Sequence, residues 1–131
     1  MRQLEHLLDK YSWVSAPIVR YAIALVYLYF GISQLIHPES FTFFIPQTLS
    51  ALVDPVLLIY FNAGFEILFA SLLILGKYTR ISAFLLFVHL FFITLSLGFT
   101  QNGVRDFGLT MATLAVAIHG PDAWCLEYRK K

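Results

Sequence analysis

Four stretches of the chain are apolar almost without interruption: about Ile18 to Ile36, Pro55 to Leu75, Arg80 to Phe99, and a shorter one from Val104 to Ile118 that begins with the charged pair Arg105-Asp106. Crossing the hydrocarbon core takes roughly 20 mostly apolar residues as a helix. None of these runs alternates like a barrel strand, and open strands leave backbone groups unsatisfied in lipid, so the pattern predicts four transmembrane helices. Ahead of them, Leu4, Leu7, Leu8, Tyr11 and Val14 recur at helical spacing, with Glu5, His6, Asp9 and Lys10 opposite. That spacing predicts an amphipathic surface helix over 1–16, lying on the inner face of the membrane and stopped near Pro17. The first apolar run starts too far into the chain, and is too long, for a signal-peptide core. Between the first two spans, Phe41 to Pro46 and on through Leu49 and Val53 is too apolar for a solvated loop. This outer connection is expected to lie in the interface and lid the bundle. The fold expected is all-α, a four-transmembrane-helix bundle forming one membrane domain over 1–131. The openings Arg20-Tyr-Ala and Arg80-Ile-Ser-Ala suggest a two-helix repeat.

Composition narrows the class further. Of 131 residues, 59% are hydrophobic and 13% charged, with a net charge of +1, against about 25% charged in a soluble domain. Disorder, a basic nucleic-acid binder and an ordinary soluble enzyme are excluded. Cys125 is the single cysteine, which excludes a disulfide framework and cysteine-rich zinc or iron–sulfur sites. Standing beside Trp124 past the last span, it is read as inert or lipidated. The four histidines are too scattered in depth for a metal site. Arg2, Lys10 and Arg20, then Lys77 and Arg80, then Arg129, Lys130 and Lys131 all fall on one side of four spans, against Arg105 on the other. The asymmetry places both termini in the cytoplasm, with the bundle in the cell membrane.

Ionisable groups inside a bilayer cost at least ~2.5–3.5 kcal/mol near the centre, so they mark function before structure. Glu66 lies nine residues from Leu75, and His89 nine from Arg80, on neighbouring antiparallel helices. At about 1.5 Å per residue both are roughly 13–14 Å deep. They can face each other and share a proton, or serve only as a packing pair. Asn62 is one turn from Glu66; Tyr29, with Tyr27 nearby, reaches the same depth on the first span, and Thr110 on the fourth. Nearer the outer surface, Ser33, Gln34, Asn62, Arg105 and Asp106 form a second polar layer, with His37 and Glu39 above it. Arg105 needs a partner there, Asp106 or Glu66, unless the pair merely starts a helix at the headgroups. Gly31, Gly64, Ala63, Ala70 and Ser71 read as close-packing positions.

Taken together, Phe30-Gly31-Ile32-Ser33-Gln34-Leu35, Pro38-Glu39-Ser40-Phe41, Phe65-Glu66, Leu75-Gly76-Lys77-Tyr78-Thr79-Arg80 and Arg105-Asp106-Phe107-Gly108-Leu109 resemble the DoxX family of small four-helix membrane proteins. Gln34 stands where many relatives carry Lys. The resemblance implies a membrane subunit of a thiosulfate:quinone oxidoreductase, an organiser of oxidative-stress partners, or a receptor-assembly chaperone. Three readings follow. In the first, the chain is a redox-linked subunit without a cofactor of its own; Glu66, Asn62 and His89 hold a quinone head group or relay its proton, and a protein partner supplies electrons. The second is a non-enzymatic scaffold, alone or as a homo-oligomer, and the third a small-solute transporter assembled as an oligomer. No reading involves nucleic acid.

Overall fold

The computed structural model describes residues 1–129, with the side chain of Arg129 excepted; Lys130 and Lys131, counted above in the charge asymmetry, lie outside the described residues. Helix α1 covers Arg2–Lys10, and every one of its residues is exposed. A 3-10 turn, Ser12–Val14, leads into α2, Ser15–Ile36. Pro17 therefore does not stop the amphipathic helix. It sits in the first turn of α2, where a missing N–H leaves no hydrogen bond unmade.

After His37 the chain forms a 3-10 stretch, Pro38–Phe44, and a short helix α3, Gln47–Ser50. Helix α4, Pro55–Leu75, starts on Asp54, whose carboxylate accepts the Val56 N–H at 3.0 Å, with Pro55 at the first helical position. It ends at Gly76, in the left-handed region at φ 69°. Helix α5 runs Thr79–Leu97 and α6 Gln101–His119, the latter capped by the Thr100 hydroxyl on Gly103 N–H. The fourth long helix thus begins earlier than Val104, and at about 1.5 Å per residue it reaches about 28 Å. A final turn, α7, covers Leu126–Arg129. No strand occurs among the described residues.

Three segments, Ser12–Ile36, Pro55–Leu75 and Thr79–Leu97, are long and apolar enough to cross a membrane. Helix α6 equals α5 in length but carries Gln101, Asn102, Arg105 and Asp106 in its first two turns. Packing divides the four long helices into two antiparallel hairpins, α2 with α4 and α5 with α6, while the α4–α5 and α2–α6 contacts are slighter. Small residues let α2 and α4 approach: a Cβ on Gly31 would lie 2.7 Å from Ile67 Cγ1, and Ala63 and Ala70 are fully buried. Gly64 does not share this role, for it faces outward with nothing near it.

Each hairpin is closed by an arginine. Arg20 on α2 donates to the Leu73 and Ile74 carbonyls at the end of α4, and Arg80 on α5 donates to Ala117 and Ile118 O at the end of α6. These carbonyls lie in the last turn of a helix, where acceptors lack intrahelical partners and a cation is also favoured by the dipole, although Leu73 O accepts the Gly76 N–H as well. The two-helix repeat suggested by the sequence thus has a physical counterpart.

Arg20 does more than mark a membrane side. Its side chain is 1% exposed and grips Asp122 at both carboxylate oxygens, 2.7 and 3.1 Å. Burial opposes the charged carboxylate, but the bonds from Arg20 and from the Trp124 N–H outweigh it and hold the Asp122 carboxyl below its ordinary value. The segment after α6 is docked by further bonds: Glu127 N–H to Gly76 O at 3.1 Å, and Thr79 N–H to Glu127 Oε1 at 2.8 Å. Trp124 packs edge-on to Trp13 at 6.2 Å. Cys125 is fully buried against Gly76 and Thr79, a packing that leaves no room for an acyl chain and favours the first of the two readings.

Candidate functional site

At the opposite end from Arg20, the four long helices separate around a cavity of about 690 Å³. Its walls are mostly apolar, and the connection between α2 and α4 covers it through Phe41, Phe44, Ile45, Pro46 and Leu49. The expected lid is therefore present as the 3-10 stretch and α3, resting chiefly on α2 and α4.

One polar group of side chains faces the cavity. Asn62 and Glu66 are one turn apart on α4, Gln34 approaches from α2 and His89 from α5. The Asn62 amide donates to Gln34 Oε1 at 2.7 Å and to Glu66 Oε1 at 3.2 Å, and Gln34 Nε2 donates to Glu66 Oε2 at 3.5 Å. Both carboxyl oxygens thus accept from amides, and the two amides are oriented by each other. His89 Nε2 is 3.9 Å from Glu66 Oε1, too far for a hydrogen bond. That nitrogen is buried and has no partner among the described residues. The imidazole is held by its neighbour Phe65, ring centres 4.7 Å apart. Glu66 and His89 therefore face each other, as depth counting allows, across a space that one hydroxyl, carbonyl or water could bridge.

The other expected residues divide. Arg105 and Asp106 reach the cavity, but Arg105 Nε bonds Asp106 Oδ1 at 3.2 Å and not Glu66, and the Arg105 side chain is 57% exposed over the Phe30 ring. Tyr29 is not in the site. Two residues of helix turn it by about 200° from Tyr27, and it lies 69% exposed against Phe30. Ser33 closes on its own helix, donating to Tyr29 O. His37 and Glu39 pair weakly with each other at 3.7 Å, both about 70% exposed, away from the polar cluster.

Tyr27 takes the place expected of Tyr29, with its hydroxyl 3.1 Å from Thr113 Oγ1 on the cavity floor. Thr94 and Thr110 make a similar hydroxyl pair at 3.2 Å between α5 and α6. Threonines in apolar helices carry a weak signal, because each also bonds its own backbone, as Thr110 and Thr113 do.

The DoxX family model matches residues 16–101, about two thirds of the chain. The chain belongs to the DoxX family. No curated protein and no solved structure matches it. The matched region holds Gln34, Asn62, Glu66 and His89 and stops at the first residue of α6, so Arg105, Asp106 and Asp122 lie beyond it. In this DoxX protein Gln34 links Asn62 to Glu66 by hydrogen bonds without adding charge.

Proposed function

We propose that this DoxX protein is a membrane subunit of a quinone-linked redox complex, binding the quinone head at Glu66 and His89. The observation that carries the reading is the unpartnered, buried His89 Nε2 facing the Glu66 carboxyl across an apolar cavity. A few converging polar groups in an otherwise aromatic and aliphatic pocket suit a ring that needs orientation at its oxygens. About 690 Å³ falls within the size range of small-molecule sites.

A quinone is a two-electron, two-proton acceptor, and the electrons come from a dehydrogenase-type protein partner. The residues of this chain position and protonate. Glu66 carries an exchangeable proton, Asn62 and Gln34 hold its carboxyl in place, and His89 supplies the second hydrogen-bonding atom toward a ring oxygen. The lid and the aromatic walls exclude water from that exchange. In this reading all four long helices span the cell membrane as one domain, with α6 as the fourth span. Both termini are cytoplasmic, consistent with the Lys and Arg at the Arg20 end.

The test is gentle purification from native membranes, followed by mass spectrometry of bound small molecules and co-purifying chains. Stoichiometric quinone that disappears in Glu66→Gln, together with a dehydrogenase-like partner, is expected. Lipids alone with a varied set of membrane proteins would refute it in favour of a scaffold. That second reading draws on α1, whose Leu4, Leu7 and Leu8 are all more than half exposed.

A further inference from the structure

The cavity has two rims of different chemistry. At the end of the bundle the rim is polar, formed by Ser40, Asn102, Arg105 and Asp106. On the side, between α4 and α5, it is formed by Leu58, Phe61 and Phe92. Phe61 and Phe92 are 76% and 65% exposed although both line the cavity, so the space inside is continuous with the outer surface of the helices there. Phe61 lies six residues from the start of α4 and Phe92 five from the end of α5. At about 1.5 Å per residue both are about 8–9 Å below the helix ends, inside the hydrocarbon layer. By the same count Glu66 is about 16 Å and His89 about 12 Å below those ends, so the side opening slopes inward to the polar pair.

Two features favour this side. The lid packs mainly on α2 and α4, and α4 and α5 touch much less than the helices within each hairpin. The charge of the lining restricts what can enter. Among the described residues Arg105 is the sole Lys or Arg lining the cavity; it is paired with Asp106 at the far rim, while Glu66 and His89 lie deeper. A phosphate or carboxylate head would be drawn to Arg105 at the rim and would meet no lysine or arginine beside Glu66 and His89.

We propose that the cavity is loaded sideways from the bilayer through the α4–α5 seam, by an amphiphile whose uncharged oxygen-bearing head rests on Glu66 and His89 while its chain leaves between Phe61 and Phe92. The identity of the head rests on the quinone reading above; the route and the place of the chain do not. A long isoprenoid chain thereby stays in hydrocarbon throughout, and only the head is desolvated by the protein.

The experiment places the whole protein in lipid nanodiscs with a quinone carrying a diazirine midway along its chain, and maps photo-crosslinked peptides. Equilibrium dialysis of a tailless quinone is run in parallel as a separate readout of the head. Expected are crosslinks on residues 58–61 and 92–96 that unlabelled long-chain quinone suppresses. Phe61→Trp with Phe92→Trp should slow loading of the long-chain probe about tenfold, and slow loading of the tailless one much less. Suppressible crosslinks on residues 40–46 and 101–105 instead, with tailless binding intact, would overturn the side route but leave the quinone reading standing. Failure of both probes to bind would remove the quinone reading. Suppressible seam crosslinks from a long-chain alcohol alone would keep the route and replace the head.

Discussion

Replacing Asp122 by alanine tests the buried clasp that joins the chain after α6 to α2. Both partners are nearly inaccessible, 1% and 4% exposed at the side chain, and Asp122 supplies two of the hydrogen bonds made by the Arg20 guanidinium. Removing one member of a buried ion pair costs about 3–5 kcal/mol, because the other charge is left without compensation. Here Arg20 keeps the Leu73 and Ile74 carbonyls and the face of the Tyr21 ring, 4.4 Å away. The lower end, about 3 kcal/mol, is therefore expected, equivalent to a fall of about 10 °C in Tm for a chain of this size. The assay is thermal unfolding of detergent-purified protein followed by circular dichroism, with Glu39→Ala as the exposed control. Arg20→Leu with Asp122→Leu should recover much of the loss, since an apolar pair of similar volume leaves no charge stranded. A single variant no less stable than the control, or a double variant whose losses simply add, would refute the account of the clasp.

Three other outcomes follow from the structure. The Asp122 carboxyl is depressed in the folded state, so its contribution is complete above its unfolded value of about 4 and is lost as pH falls through the lower folded value. The stability gap between the native chain and Asp122→Asn, measured by chemical denaturation from pH 7 to pH 3, should narrow on acidification; a gap that widens would contradict the sign. Gly76→Ala forces a left-handed residue and drives a methyl into Cys125, so a loss of at least about 1 kcal/mol is expected. Maleimide labelling of Cys125, negligible in the native chain, should become fast in that variant. Thr113→Val removes the Tyr27 hydroxyl pair between α2 and α6 and should cost about 0.6 kcal/mol, read in the same melting assay.

Hydropathy made the helices legible because each long run is apolar on nearly all faces, and run length is then set by bilayer thickness. Depth counting was enough to bring Glu66 opposite His89, since antiparallel neighbours share a common end. It could not choose Tyr27 over Tyr29, because the two differ in helix rotation and hardly in depth. Helix α6 was drawn too short because Gln101 and Asn102 are polar, yet Thr100 provides the cap that starts the helix there. Arg20 shows a different limit. A basic residue at a span boundary satisfies the positive-inside pattern whatever it touches, and its partner Asp122 lies 102 residues away in a turn with no periodic signature. Cys125 was likewise read as lying just past the fourth apolar run, but its burial depends on the shape of the turn at Gly76.

The uneven distribution of ties between the hairpins has a mechanical consequence. At one end they are joined by the short α4–α5 turn and by the Arg20–Asp122 clasp; farther along, the Tyr27–Thr113 pair bridges them beside the cavity floor. At the other end a lid fastened mainly to one hairpin faces the cavity. Such a body acts as a pair of levers with a common fulcrum. Over helices about 28 Å long, a rotation of about 5° at the clasp moves the far tips by about 2.4 Å, nearly a carbon atom's width, with the hydrogen bonds within each arm unbroken. Stiffness is thus concentrated where the segment after α6 is docked, and give is concentrated at the mouth.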